Sequence, residues 1–310
     1  MILVAGEALF DVFVGAPTST GFQLEARIGG SPFNVAVGLA RLGQPVAFLG
    51  AIGSGVLGER LVAALAQERV DTARVQRVAA PTTLGLVALD ASGVPDYAFY
   101  GEGAADRRLD AVAPEALSGV RALHVGSYAT VVGATADALA AAVRDVPGDC
   151  VVSYDPNVRL NVQGALAPWR ERLAWMLPRT QLLKISEEDL QLLSPGTTPD
   201  AFLTECLAQG VAMAIVTCGG DGAVGACGAG RAQVDARLAG PLVDTVGAGD
   251  TYQAALLTWL AEHGLLARAS LAALTVDQLG EAMRFAAAAA GVTCARRGAD
   301  LPRRDEVPAP

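Results

Sequence analysis

The chain has 310 residues, 52% hydrophobic and 18% charged, with a formal net charge of −9 at neutral pH. That length and composition allow one large α/β domain, or a domain with an appendage, and exclude a disordered chain. The acidic balance, with no basic cluster beyond short pairs such as Arg296-Arg297 and Arg303-Arg304, argues against nucleic acid as a partner.

Met1 to Gly6 reads as a first strand and lacks the basic region that opens a signal peptide. The apolar runs that follow are broken by Glu7, Asp11, Arg41 and similar residues, so none has the length of a membrane span and no membrane partner is expected. Strands are expected at 1–6, 46–50, 120–126, 149–154, 180–185 and 211–217, and helices at 32–43, 57–68, 133–144, 169–177, 199–209, 248–263 and 276–295. The alternation predicts βαβ units on a mostly parallel sheet with helices on both faces. Two segments depart from it. Phe10 to Gly29 and Leu84 to Tyr100 alternate with a two-residue period around turns at Gly21 and Ser92-Gly93, with no helix between, and suggest a small β-appendage over a cleft. The Pro-rich tail from Pro302 to Pro310 is expected to fray.

The five cysteines are scattered without CxxC spacing, which fits a reducing cytoplasm rather than a disulfide framework or structural zinc. With only His124 and His263, a histidine metal cluster is excluded, and His124 at the end of an apolar run reads as a core histidine. Chemistry must come from carboxylates, backbone and Mg²⁺.

Asp11 follows the first strand, where it would accept hydrogen bonds from a polyol or simply be solvated in a loop. In Gly29-Gly30-Ser31-Pro32-Phe33-Asn34, Ser31 can cap and Pro32 can open a helix running to Gly43. Gly29-Gly30 would let the backbone approach a ligand, and Asn34 would offer a donor and an acceptor; a well-capped structural helix is the plainer alternative. Asp155-Pro156-Asn157-Val158-Arg159 and Lys184-Ile185-Ser186-Glu187-Glu188-Asp189 each follow a strand, so their polar groups would meet at the carboxyl edge of the sheet. The second group could hold Mg²⁺ through water, or Ser186 and Asp189 could open a helix as a capping box. Gly220-x-Gly222-x-x-Gly225 matches the dinucleotide fingerprint literally and is the only support for a nicotinamide oxidoreductase. It is a decoy, because Ala223 to Gly230 reads as a hairpin strand and supplies no helix N-terminus. A GxxxxGK[ST] motif is absent from the sequence.

Asp244-Thr245-Val246-Gly247-Ala248-Gly249-Asp250-Thr251 empties into an apolar helical run. Unpaired amides at that helix start would favour an anion, and Asp250 in the first turn would either cap the helix or face the anion. Phosphate beside a lone carboxylate suits phosphoryl transfer to a hydroxyl.

These stretches, in this order, resemble the ribokinase/PfkB family of sugar kinases. One family signature covers Gly29 to Gly53 and the other Asp244 to Ala255. The resemblance implies a three-layer α/β/α sandwich spanning 1–310, with β-lid segments at approximately 10–29 and 84–110. It implies Asp250 as catalytic base and Gly247, Ala248 and Gly249 as anion hole. Asp11, Gly29, Gly30, Asn34, Asn157 and Arg159 would bind the sugar, with Tyr97, Phe99 and Tyr100 closing over it. Lys184, Ser186, Thr217, Gly219, Gly220 and Gly222 would meet ATP, and Asp189 would meet Mg²⁺. Asp155 to Arg159, Gly126-Ser127, Ala104-Ala105-Asp106 and Arg296 to Ala299 look most like the bacterial fructokinases, so D-fructose is the expected substrate, ahead of 2-keto-3-deoxygluconate and ribose. Three positions depart from the family pattern. Its Asn-x-x-Glu is Ser186-x-x-Asp189, an Asn near the adenine is Ala287, and the Thr before the anion hole is Val246, which could give a K⁺ site only its carbonyl. A catalytically silent sensor is the remaining alternative. A homodimer through the lid edges is expected.

Overall fold

In a computed structural model, which describes residues 1–89 and 95–307, the chain forms two sheets of unequal size. The body begins with β1 (Ile2–Ala5), a wholly buried run of four apolar residues. The small sheet follows at once with β2 (Leu9–Pro17) and β3 (Phe22–Gly29), before α1 (Ser31–Arg41), β4 (Val46–Gly53), α2 (Val56–Gln67) and β5 (Val75–Val78) return to the body. β6 (Leu84–Leu89) and β7 (Pro95–Tyr100) go back to the small sheet. Thereafter the body alternates: β8 (Ala122–Gly126), α3 (Gly133–Asp145), β9 (Val151–Asp155), α4 (Leu166–Met176), β10 (Leu182–Ser186), α5 (Glu187–Leu193), α6 (Pro199–Ala208) and β11 (Met213–Thr217). A hairpin of β12 (Ala223–Cys227) and β13 (Gly230–Val234) precedes α7 (Ala248–Glu262), α8 (Arg268–Ala272) and α9 (Val276–Cys294).

Among the described residues nine strands form the main sheet, in the order β13-β12-β11-β10-β9-β8-β1-β4-β5. β1 pairs in parallel with β4 on one side and β8 on the other, so strand order reverses at β1. Ligand crevices in open α/β sheets lie outside the carboxyl ends of the strands at such a reversal. One apolar cluster packs α1, α7 and α9 on one face, with Trp259 and Phe285 at its centre, and another packs α3, α4, α5 and α6 on the opposite face around Trp169 and Phe202. The central strands are continuous apolar runs because both faces are covered.

The small sheet, in order β3-β2-β6-β7, joins two antiparallel pairs through a parallel β2–β6 contact. It leaves Val14, Phe22, Leu24 and Tyr100 exposed. Beyond Tyr100 the chain leaves this sheet. Ala104, Ala105 and Leu109 are buried, and the last strand of the small sheet ends at Tyr100. The turn at Ser92-Gly93 and the side chain of Tyr97 lie outside the described residues.

The expected strands and helices of the body are present to within a few residues. β5, β13 and α8 were not expected as separate elements; each is too short to carry a periodic pattern of its own, whereas α5 is the helix that Ser186 was read as able to open. The tail also differs from expectation. Leu301, Pro302 and Val307 are buried and Arg304 bonds Glu262, so side-chain packing holds the segment that its proline content suggested would fray; Pro308 to Pro310 lie outside the described residues. No helix among the described residues is long and apolar enough to cross a membrane.

Candidate active site

Two helix starts meet at Asp250. Gly247 caps α7 with φ +80°, and a Cβ there would lie 2.7 Å from that of Ala299, so both conformation and space require glycine. Ala248 N–H donates to the Thr245 carbonyl at 3.1 Å, while the N–H groups of Gly249 and Asp250 have no backbone acceptor among the described residues. A helix of 15 residues therefore presents two free donors and its positive end to the same point. The Asp250 side chain does not cap α7. Its Oδ1 accepts from Ser31 Oγ at 2.7 Å and its Oδ2 from Asn34 Nδ2 at 2.8 Å, both on the first turn of α1. Burial raises the Asp250 pKa, and these two donors oppose the rise.

Ser31 was expected as the cap of α1. The cap is instead Gly30, with φ +105°, and a Cβ on it would lie 2.7 Å from the Glu7 carbonyl. The serine hydroxyl is thereby free to hold Asp250, a role the sequence reading missed. A hydroxyl directly after a glycine pair, just ahead of proline, was its only signal.

A lysine stands behind the amides. Lys184 Nζ donates to Asp155 Oδ2 at 2.8 Å in a buried ion pair, and a Cβ on Gly249 would lie 3.0 Å from Nζ. One strand residue thus brings a positive charge to the glycine turn. Ser186 Oγ accepts from Asp189 N–H at 3.1 Å, which makes it the cap of α5. Asp189 Oδ1 accepts from Val158 N–H at 3.2 Å, and burial, with Asp155 nearby, pushes its pKa up to about 6. Among the described residues no group of three His, Cys, Asp or Glu side chains could hold a metal ion. A lone carboxylate fits an ion that arrives with phosphate oxygens, not a protein cage.

On the lid side, the half-buried Asp11 carboxylate lies between Gly29 and Gly85, where a Cβ on Gly29 would collide with Oδ2 and one on Gly85 would lie 3.0 Å from Oδ1. Burial raises the Asp11 pKa against the pull of Arg159. The exposed Arg159 sits close enough to Glu7, Asp11, Asp189 and Asp250 for its charge to act on each. Asn157 adopts φ +41° in the turn that presents it. Phe99 of β7 meets Tyr128 edge-on at 6.0 Å. Glu7, which served in the sequence only to interrupt an apolar run, is 1% exposed at the end of β1, and burial pushes its pKa up to about 7. A charged residue directly after a buried central strand was the available signal.

Thr217 ends β11 beside the turn Gly219–Asp221. Cys218 N–H donates to the Gly222 carbonyl at 2.7 Å and the chain returns antiparallel as β12, so no helix follows the literal fingerprint. Nothing lies within 4 Å of a Cβ on Gly219 or Gly220, which leaves this turn open. Ala287 is buried in α9 and Val246 is half exposed. His124 is a core histidine: Nδ1 lies 3.1 Å from Ser153 Oγ, and burial with nearby Lys184 pushes its pKa down to about 3.

A model of the pfkB family carbohydrate kinases matches residues 1–306. A fructokinase of Rhizobium leguminosarum bv. trifolii is 32% identical over 280 residues, covering 90% of this chain and 85% of that protein. A fructokinase of Klebsiella pneumoniae is 34% identical over 284 residues, covering 89% of each. Among solved structures, the fructokinase of Xylella fastidiosa with bound ATP superposes with a TM-score of 0.89 at 27% identity, covering 98% of this chain and 96% of that one.

Proposed function

Given that the chain belongs to the pfkB family of carbohydrate kinases, we propose that it transfers the γ-phosphoryl group of ATP to the primary 6-hydroxyl of D-fructose. The hydroxyl oxygen forms a bond to the γ-phosphorus while the bond from that phosphorus to the β–γ bridging oxygen breaks. The hydroxyl proton passes to Asp250, and ADP and fructose 6-phosphate leave. The observation that carries this reading is the Asp250 carboxylate, fixed by Ser31 and Asn34 beside two unpaired amides at one helix start. Fixed donors aimed at developing charge are worth far more than mobile ones in water, because they need no reorganisation.

Gly247, Ala248 and Gly249 form the anion hole in this reading, with Lys184 adding its charge behind Gly249. Thr217, Gly219, Gly220 and Gly222 lie along the nucleotide, and Ser186 acts through the cap that orients α5. Asp189 would hold, beside the phosphates, a Mg²⁺ ion that when bound would neutralise their charge. To a K⁺ site Val246 would contribute only its backbone carbonyl. Asp11, Gly29, Gly30, Asn34, Asn157 and Arg159 surround the sugar, and Phe99 covers it. The exposed apolar residues of the lid sheet suit a second copy of the chain, giving a homodimer through the lid. An ATP-consuming sugar kinase with free cysteines at 150, 206, 218, 227 and 294 fits the cytoplasm.

Arg159 favours one second reading. An exposed guanidinium facing the sugar side would also suit a keto-acid such as 2-keto-3-deoxygluconate. A coupled assay of ADP release over D-fructose, D-ribose and that keto-acid separates the two. The expected order of kcat/KM places fructose first by at least about tenfold. A keto-acid in first place would replace fructose by the second reading.

A further inference from the structure

Where the lid joins the body, both of its later chain crossings converge on one buried carboxylate that touches neither the anion hole nor the sugar side. Asp106 is 2% exposed. One oxygen accepts the hydroxyl of Thr83, the residue before β6, and the other accepts Tyr128 OH at 2.9 Å. The returning crossing, Gly101 after β7, packs against the same turn, since a Cβ on it would lie 2.8 Å from Arg107 Nη2 and 3.1 Å from Thr83 Oγ1. The turn is itself fastened to α3, because Thr135 Oγ1 donates to the Asp106 carbonyl at 2.7 Å and accepts Leu109 N–H at 3.0 Å.

Both arms of Asp106 lead to the sugar side. Through Thr83, whose carbonyl accepts Phe10 N–H at 3.2 Å, it fixes the start of β6, and two residues on Gly85 lies against Asp11 and the Phe99 ring. Through Tyr128 it orients a buried ring that meets Phe99 edge-on, 6.0 Å between centroids at 82°. Burial, with Asp106 beside it, holds the Tyr128 pKa well above its ordinary value, so the phenol remains a donor.

We propose that Asp106 is a positioning residue for sugar recognition: with Thr83 and Tyr128 it forms a buried latch that sets the lid wall of Gly85 and Phe99 against Asp11. The inference rests on the sugar-kinase reading above. A hydrogen bond to a buried charged group is worth more than one between neutral groups, so losing one arm loosens the wall without removing a group that touches substrate.

The test compares Asp106→Asn, Tyr128→Phe, Thr83→Val and Thr83→Ser in steady-state kinetics and in hydrogen exchange of the β6 and β7 amides. Tyr128→Phe and Thr83→Val are expected to raise the sugar KM about tenfold each, with the KM for ATP within about twofold and kcat little changed. Thr83→Ser, which keeps the hydroxyl, is expected to restore wild-type values. Exchange of the lid amides is expected to quicken in the first two variants while that of α1 does not. Asp106→Asn combined with Tyr128→Phe should add less than the sum of the two. If Asp106→Asn does not fold, the shape-preserving Tyr128→Phe and Thr83→Val variants decide. Unchanged sugar KM and lid exchange in both would overturn the latch, and so would KM for sugar and ATP rising together with a general loss of stability. A wild-type enzyme that phosphorylates no sugar sinks the underlying reading, and the lid exchange of the variants still judges the latch.

Discussion

The glycine-rich turns at Gly247 and at Gly219 look alike in sequence, yet the first opens a long helix and the second does not. Gly247-Ala248-Gly249 runs into the 15 residues of α7, whereas Gly219-Gly220-Asp221-Gly222 closes a hairpin and runs into β12. The residues are similar; the element that follows differs. A helix supplies unpaired amides and an aligned dipole at its first turn, and an antiparallel strand uses its amides in the ladder. The first turn also meets a second helix start, whose Ser31 and Asn34 fix the Asp250 carboxylate. The second meets no such partner and stays open around Gly219 and Gly220. Glycine content alone does not distinguish a turn that presents free amides from a bend.

Short of removing the carboxylate itself, the largest effect on turnover is expected from Gly247→Ala. The new methyl would press on Ala299 at 2.7 Å and strain a φ of +80°. A fall in kcat of about 100-fold with a stability loss of roughly 2 kcal/mol is expected, read from kinetics and thermal melts on one preparation. Ser31→Ala comes next. Loss of its 2.7 Å hydrogen bond frees Oδ1 of Asp250, and kcat should fall about tenfold with ATP affinity unchanged, as calorimetry would report. Gly222→Ala should give the opposite pattern. Its methyl would collide with the Val234 carbonyl, so the protein should lose about 1–3 kcal/mol of stability and the KM for ATP should rise, while kcat at saturating ATP falls far less than in Gly247→Ala. Equal damage to kcat from Gly222→Ala and Gly247→Ala would erase the distinction between the two turns.

The smallest effect on turnover concerns Glu7, whose Oε2 has no partner among the described residues, in contrast to the doubly held Asp250. Its pKa rises from 4.5 to about 7, chiefly through burial. The folded state therefore binds this proton more tightly than the unfolded chain does. The resulting stability is fully present below pH 4.5 and is lost as pH rises through about 7. Glu7→Gln should flatten that decline, by an amount on the order of 3 kcal/mol at most, in denaturant melts between acidic and mildly alkaline pH. A decline of equal slope in the variant would assign it to other groups.

Much of the body was legible because its central strands are mostly apolar runs and its helices carry periodic stripes. Asp250 was legible because two glycines, a carboxylate and an apolar helix occupy adjacent positions. Ser31 was not, since its partner lies 219 residues away and a serine before proline reads equally well as a cap. Lys184 was placed on the nucleotide side by resemblance, but its closeness to Gly249 is an approach between distant parts of the chain, which no local pattern records. The tail misled for a similar reason: proline content speaks to local backbone freedom, while burial of Leu301, Pro302 and Val307 is decided by distant partners. Asp106 stood in a recognisable motif, yet its two hydroxyl partners come from Thr83 and Tyr128, more than twenty residues away on either side.

The central claim is that Asp250 takes the proton of the sugar hydroxyl at the mouth of α7. Single-turnover phosphoryl transfer by Asp250→Asn, with D-fructose and ATP saturating, tests it most directly. The amide keeps the shape and its contact with Ser31 but cannot accept the proton, so transfer should slow by at least about 10³-fold while fructose still binds within about tenfold of wild type. Transfer within about tenfold of the wild-type rate would contradict the account.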